Sequence, residues 1–532
     1  MMDSDKPLVK IRRRKKLFEE QKGNEFHDEA KNHKGSLDHL KERMLYVFGN
    51  TADLIFEDMK IAETDGLLFY LESSIDTQQL QNSLLNKHTF QETHAFDLHS
   101  EQGLKDYCRQ QFGGAAYGIF NNDEEIINAL LNGSVVIAIS TFPIFISLSM
   151  ANNNFRQVAE PTSQTVTRGP KDSFVEGLTT NMSLIRRRIR NANLCFEQFL
   201  IGSDTKTRVL IGYINGIANA EIVAEVRKRI LDIDVSAVFE SANIEELIAD
   251  KTFTLFPLAL NTERPDTACG NLIEGKIVII VDGTPFVLIV PAVFPDFFVS
   301  AEDYYQDIYI ASFTRLLRYI SFLIVIITPA AYVAILTFHQ EMLPTNLLIS
   351  IIAQRQRVPF PAFIEVLIME ITFEILREAG IRLPRAVGQT VSIVGALVVG
   401  QAAALAGLIS NIMVIIVAIT ATANFVAPVA SLSAASRMLR FLLLLVASFL
   451  GLYGVLLGIV YMVAHLASLR SFGVPYLAPV APFTKENLKD IFVRFPYWAM
   501  NKRPSYLRSP NQKKFPKQGS PSPPDLSGGS KG

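Results

Sequence analysis

The residues best placed to do chemistry lie in PAFIEVLIMEITFEILREAG, residues 361–380, where Glu365, Glu370, Glu374 and Glu378 recur through an apolar stretch whose one base is Arg377. A carboxylate in hydrocarbon is expensive, and where one persists it faces a bundle interior or a water path. Helical spacing brings Pro359, Phe363, Val366, Glu370, Glu374 and Arg377 close to one face. Three readings are open: an amphipathic helix with its carboxylates in water, a transporter site, or the wall of a cation path.

Other chemistry is sparse. His27, His33 and His39 stand six apart in a polar segment without a companion cysteine, whereas stacking two imidazoles on a helix face needs a spacing of three or four. His94 and His99 pair no better. Cys108, Cys195 and Cys269 lie far apart, form no CxxC, and read as reduced thiols. Neither GxxxxGK nor GxGxxG occurs, and scattered Ser, His and Asp make no triad without geometry. No enzyme, metal or cofactor is expected.

The elements that must position these residues follow from a segregated composition. The 532 residues carry a formal net charge of -1. Residues 1–318 have ordinary charge density, 319–470 are dominated by Leu, Ile, Val, Ala and Gly, and 471–532 are polar, basic and rich in Pro, Gly and Ser. The start, MMDSDKPLVKIRRRKK, lacks the apolar core of a secretory signal. Residues 1–40 therefore read as a basic, solvated tail, with anionic lipid as a possible contact and no nucleic-acid role. The soluble region is expected to stay cytoplasmic.

That region repeats itself. An offset of 142 residues lays GLLFYLESSIDTQQLQNSLL (66–85) over RVLIGYINGIANAEIVAEVR (208–227), with Leu68 on Leu210. The same offset lays ALLNGSVVIAIS (129–140) over NLIEGKIVIIVD (271–282), with Gly133 on Gly275. Two α/β subdomains, 41–155 and 195–300, are expected, joined by a helical linker over 156–194. There Asp172 is a candidate cap, and Phe174, Leu178, Met182, Ile185 and Ile189 form one apolar stripe. In KIVIIVDGTPFVLIVP, Asp282-Gly283 signals a hairpin with a type I′ turn.

An all-helical, polytopic membrane domain is expected over 319–466, with spans near 319–339, 386–408, 411–431 and 441–466. Gly388, Gly395, Gly400 and Gly407 would allow close helix contact. Four crossings keep both ends on one side but place Arg355, Arg357, Arg377, Arg382 and Arg385 outside, against the usual bias. A fifth crossing relieves those arginines and misplaces the basic C-terminal segment. The preferred solution is a broken or re-entrant helix near 358–378, which must be covered by protein or line water. Residues 467–507 read as membrane-proximal, with Phe492, Phe495, Tyr497 and Trp498 suited to an interface, and 508–532 as disordered.

Several stretches carry a specific resemblance: RGPKDSFVEGLTTNMSLIRRRI (168–189), LFPLALNTERPD (255–266), EGKIVIIVDGTPFVLIVPAVFPDFF (274–298), PFPAFIEVLIMEITFEILREAGIRLP (359–384), GIRLPRAVGQTVSIVGALVVGQAAALAGLIS (380–410) and FPYWAMNKRPSYL (495–507). Over about 41–507 the sequence resembles the A subunit of the GerA family of spore germinant receptors. The resemblance implies a multi-pass protein of the inner spore membrane, with its large N-terminal region on the spore-core side. It implies a transporter-like B subunit and a lipoprotein C subunit as partners, and germination triggered by nutrient. It also implies a homo-oligomer, with a ring of five as the expected form, around a path for monovalent cations. In such a ring Phe363 and Val366, with Leu367 next to them, would form an apolar gate, and Glu370 and Glu374 a cation-attracting vestibule. The alternative is a non-conducting scaffold that couples the nutrient-binding subunit to downstream machinery. A transporter in its own right is weaker, because the spans are few and no inverted repeat is visible.

Overall fold

The computed structural model describes residues 37–61, 64–81, 117–140, 145–151, 161, 163–382, 398–516 and 519. They fall into two compact units. The first holds the described residues up to 151 together with 190–192, and the second holds the rest.

The first unit runs α1 (Leu37–Val47), β1 (Leu54–Ile61), β2 (Thr64–Leu71), β3 (Tyr117–Phe120), α2 (Asp123–Leu131), β4 (Ser134–Ile139) and β5 (Phe145–Ser149). Its antiparallel sheet has the order β1-β2-β4-β5-β3. Asn122 caps α2 by accepting the Glu124 N–H at 3.1 Å. Ile126, Ala129 and Leu130, spaced three and four apart, then bury one helix face against Leu67, Phe69, Val136 and Ala138 of the sheet. The alternate residues Leu68, Tyr70, Ile137 and Ile139 fill the core on the other sheet face.

The second unit begins with α3 (Leu178–Arg188), β6 (Leu194–Ile201), β7 (Thr207–Ile214), α4 (Ala220–Leu231), α5 (Ser241–Ile248), β8 (Leu260–Thr262), α6 (Pro265–Glu274), β9 (Ile277–Val281) and β10 (Val287–Val290). Its sheet order, β6-β7-β9-β10-β8, repeats that of the first. Gly133 and Gly275 occupy the same place, each ending a helix with φ of 80° and 102° before the next strand. The Tyr70 hydroxyl donates to Glu57 across β1 and β2 at 2.8 Å, and the Tyr213 hydroxyl to Glu197 across β6 and β7 at 2.7 Å. One part of the alignment shifts. Leu210 packs on the α6 side and Leu67, not Leu68, on the matching α2 side. The first block is therefore offset one residue further than the second, and in a strand one residue is a change of face.

Local expectations change in three places. Asp172 caps nothing; α3 starts after Gly177, and Asp172 instead accepts from Arg188 at 2.6 Å. The helix of the linker belongs to the second unit's core, where Phe174, Leu178, Met182, Ile185 and Ile189 are all buried. The hairpin at 277–290 forms, but its loop covers 282–286 and only Gly283 has positive φ, so the turn is not type I′.

The helical part follows: α7 (Ile308–Phe338), α8 (Thr345–Arg355), α9 (Ala362–Arg382), a helical stretch at 398–405, α10 (Asn411–Asn424) and α11 (Ala430–Ser468). Of these, α7 and α11 are long and apolar enough to cross a membrane. At its start α7 is clamped: Arg315, fully buried, lies 3.1 Å from Asp303 and 2.8 Å from Asp490, and Arg318 lies 2.8 Å from Asp303. Near 358–378, where a broken or re-entrant helix was expected, α9 is not broken: it runs continuously for 21 residues from Ala362. The expected single span at 441–466 is different too. Gly451, with φ 58° and ψ -145°, divides α11 into arms 430–450 and 452–468. The arms fold back on each other, since Leu443 packs with Val455 and a Cβ on Gly458 would collide with Leu443. Only glycine accepts that backbone conformation, and no polar loop marks the reversal for a hydropathy reading.

From 469 the chain returns to the α/β part. β11 (Arg470–Ser471) and β12 (Val474–Pro475) form a hairpin. The Ser471 hydroxyl donates to the Leu258 carbonyl and the Tyr476 hydroxyl to that of Pro257, each at 2.7 Å. The segment expected to be disordered from 508 is ordered to 516: Ser509 donates to the Ile217 carbonyl at 2.6 Å, and Lys514 pairs with Glu274.

Candidate functional site

The carboxylates of α9 define the site. The helix begins after Pro361, whose missing N–H is no loss at a helix start. Ala362, Glu365, Val366, Met369 and Glu370, at helical spacing, form its buried face. Glu365 is fully buried at the N-terminus of α10, where one carboxylate oxygen accepts both the Ser410 N–H and the Ser410 hydroxyl at 2.6 Å. Ser410 is itself the α10 cap, its hydroxyl accepting from the Met413 N–H at 3.3 Å. A negative group there meets unsatisfied N–H donors and the positive end of the helix dipole. Arg355 of α8 approaches the other Glu365 oxygen at 3.6 Å.

Five residues along, Glu370 lies 2.8 Å from Arg440 of α11, and both are 1% exposed. Arg440 also reaches Glu374 at 3.2 Å, and Arg437 reaches it at 3.1 Å. Glu370 and Arg440 lie inside the helical body and Glu374 and Arg437 at its edge, with Arg377 close enough for its charge to act on Glu374, Arg437 and Arg440. Among apolar helices such a cluster persists only when each charge meets its opposite. At the far end of α10, Asn424 accepts from Ser433 at 3.0 Å and Ser436 at 3.4 Å. Polar contacts thus bind α10 at both ends, to α9 and to α11.

This geometry turns the face expected to line a pore toward the chain's own helices. Val366 is 0% exposed, packed among Tyr332, Met413 and Leu444, and Phe363 is half-buried against the same cluster. Leu367 is half-buried. The outward face of α9 instead carries Ile368, Ile371 and Ile375. Of the packing glycines, Gly400 faces Val414 of α10, where a Cβ would sit 3.3 Å from the valine Cγ1. Gly407 has φ 69° and shapes a turn beside Arg357, so it is not a helix-contact position. Gly388 and Gly395 lie outside the described residues. The sequence reading missed Arg437, Arg440 and Ser410; the available signal was SRMLR (436–440), which spaces two arginines three apart. It also missed Gly454 and Gly458, which lie at the α11 arm contact. Among the described residues no group of three His, Cys, Asp or Glu could hold a metal. Cys195 and Cys269 are buried.

The model of a family described as Bacillus/Clostridium GerA spore germination protein matches residues 42–506. The chain belongs to the GerA family. Among GerA relatives, spore germination protein KA of Bacillus subtilis (strain 168) is 44% identical over 482 residues, covering 89% of this chain and 87% of that one. Spore germination protein GerLA of Bacillus cereus is 41% identical over 394 residues, covering 74% and 80%. A crystal structure of the N-terminal domain of the A subunit of the Bacillus megaterium spore germinant receptor GerK3 aligns at a TM-score of 0.39 with 33% identity, covering 49% of this chain and 96% of that one. The α9 site lies within the GerA match, as does all of α11.

Proposed function

We propose that the chain is the A subunit of a nutrient-responsive germinant receptor of the inner spore membrane, and that copies of it assemble around a gated path for monovalent cations. A transporter-like B subunit and a lipoprotein C subunit would be its partners. The observation behind this reading is the charge cluster of Glu370, Glu374, Arg437 and Arg440 between α9 and α11, the second of which is long and apolar enough to cross a bilayer. Charge maintained at such a cost marks ion pathways and their switches.

The path would run along α9, with its constriction at Val366, Phe363 and Leu367 and with Glu370 and Glu374 as the cation-attracting carboxylates. In the single chain Val366 is closed against Met413 and Tyr332, so conduction along this face requires α9 to part from α10. The exposure of Ile368, Ile371 and Ile375 favours a second lining, in which those residues meet around an axis between copies. Cation flux into vesicles holding the purified protein tests both. Val366→Ala raising basal flux supports the inner face, and Ile371→Ala raising it supports the outer one. If neither changes flux while both proteins assemble normally, the scaffold reading replaces the channel.

A further inference from the structure

Glu370 and Glu374, the carboxylates of the proposed cation path, are already occupied by cations of the chain itself. The Arg440 guanidinium lies 2.8 Å from Glu370 and 3.2 Å from Glu374, and Arg437 lies 3.1 Å from Glu374. Arg377 adds a third positive charge beside Glu374. Further along α9, Glu378 is exposed and pairs with Arg382 at 2.7 Å. Three guanidinium groups therefore meet two carboxylates, and the folded site carries one excess positive charge. A ring of carboxylates draws cations, whereas an excess of positive charge repels them. The fit is also incomplete. Among the described residues, neither oxygen of Glu370 receives a hydrogen bond, and Arg440 Nε and Arg377 Nη1 donate none. A buried polar atom without a partner is held at a cost that water or a hydrated ion would relieve.

We propose that Arg440 is a tethered blocking ion: in the closed chain its guanidinium holds the carboxylate site that a permeant cation takes once α9 and α11 part. The inference rests on the inner-face path proposed above and names what keeps that path shut. Guanidinium suits the role. It is charged at every physiological pH, and its weak hydration lets it enter an apolar bundle at a lower cost than an ammonium group. The blocker also stands where it can be withdrawn. Arg437 and Arg440 lie on the first arm of α11, and Leu432 of the same arm is buried in the core of the α/β part, with Leu469 and Tyr476. From Leu432 to Arg440 the helix rises about 12 Å at 1.5 Å per residue, roughly two turns. A displacement of that core therefore reaches Arg440 along a short, stiff path. Glu370 and Glu374 stay behind on α9, uncompensated and open to a cation.

The test uses the full chain in vesicles loaded with potassium chloride, with potassium efflux read by an electrode. Arg440→Gln should raise basal efflux about tenfold. Ethylguanidinium at a few millimolar should then inhibit the leak, because it replaces the missing side chain. Adding Glu370→Gln and Glu374→Gln to Arg440→Gln should abolish that inhibition, since the carboxylate site is gone. A leak that ethylguanidinium does not inhibit comes from loosened packing and overturns the proposal, as does inhibition that survives the loss of both carboxylates. Unchanged efflux in Arg440→Gln, while Val366→Ala or Ile371→Ala leaks, also overturns it and leaves the channel standing. No efflux from any of these proteins removes the channel reading and the block with it. If Arg440→Gln does not reconstitute, Arg437→Gln, at a side chain 21% exposed, should give a smaller leak with the same inhibition. Unchanged efflux there overturns the proposal equally.

Discussion

Glu370 and Arg440 show what a buried charge demands of its neighbours. Removing one partner leaves the other uncompensated, which costs about 3–5 kcal/mol. Arg440→Ala should therefore lower the melting temperature of the detergent-solubilised protein sharply. Glu370→Met combined with Arg440→Met should recover most of the loss, because Glu374 keeps Arg437 at 3.1 Å. Failure of the double variant to recover would show that the pair orders the helices beyond balancing charge. A second residue-scale effect lies in α5. Burial, and then the nearby Glu240 carboxylate, push the Glu245 carboxyl from 4.5 up to about 7. The folded chain thus holds a proton that the unfolded chain releases between those values. That contribution is complete at low pH and lost as pH rises through about 7. Glu245→Gln should raise the melting temperature at pH 8 more than at pH 5. The carboxylates of α9 were legible in the sequence because charge stands out in an apolar stretch. Their partners were not, because Arg437 and Arg440 lie some sixty residues away and only packing brings them across.

At the scale of elements, the helices were legible and their ends were not. Hydropathy located α7, α9, α10 and α11, but it treats GLYGVLLG (451–458) as continuous hydrocarbon. The reversal at Gly451 depends on one backbone conformation and on close contact: a Cβ there would sit 2.9–3.0 Å from His339 and Phe338. Gly451→Ala should destabilise the protein by about 1–3 kcal/mol, seen as a lower melting temperature. The reversal also carries a topological prediction. Cysteines placed at Ala430 and Ser468 should react with an impermeant thiol reagent from the same side of a vesicle, and one at Leu450 from the opposite side. Opposite-side labelling of Ala430 and Ser468 would restore a single crossing.

For the whole molecule, duplication was the most legible feature, because Gly133 and Gly275 each mark the entry to a buried strand. The one-residue shift between Leu67 and Leu210 was hidden, since Leu67 and Leu68 are identical and only the sheet faces distinguish them. The C-terminal segment was hidden for another reason. Its Pro, Ser and Lys have little tendency of their own to form structure, and its order comes from the surface it covers. A fragment of residues 37–300 should therefore melt at a lower temperature than the same fragment joined to 469–516 by a flexible linker. Equal melting would mean that the segment adds nothing. That segment also supplies Asp490 to the clamp on Arg315, and the clamp gives α7 a mechanical character. From Arg315 to Phe338 the helix spans about 35 Å at 1.5 Å per residue. A tilt of about 5° at the clamped end would sweep the far end through about 3 Å. That end abuts Gly451, where there is no slack for even a methyl group. Well-packed contacts switch between arrangements more readily than they stretch. α7 is thus a crankshaft: a small torque on the α/β part would arrive at the α11 reversal as a displacement that the hinge can only follow or resist as a unit.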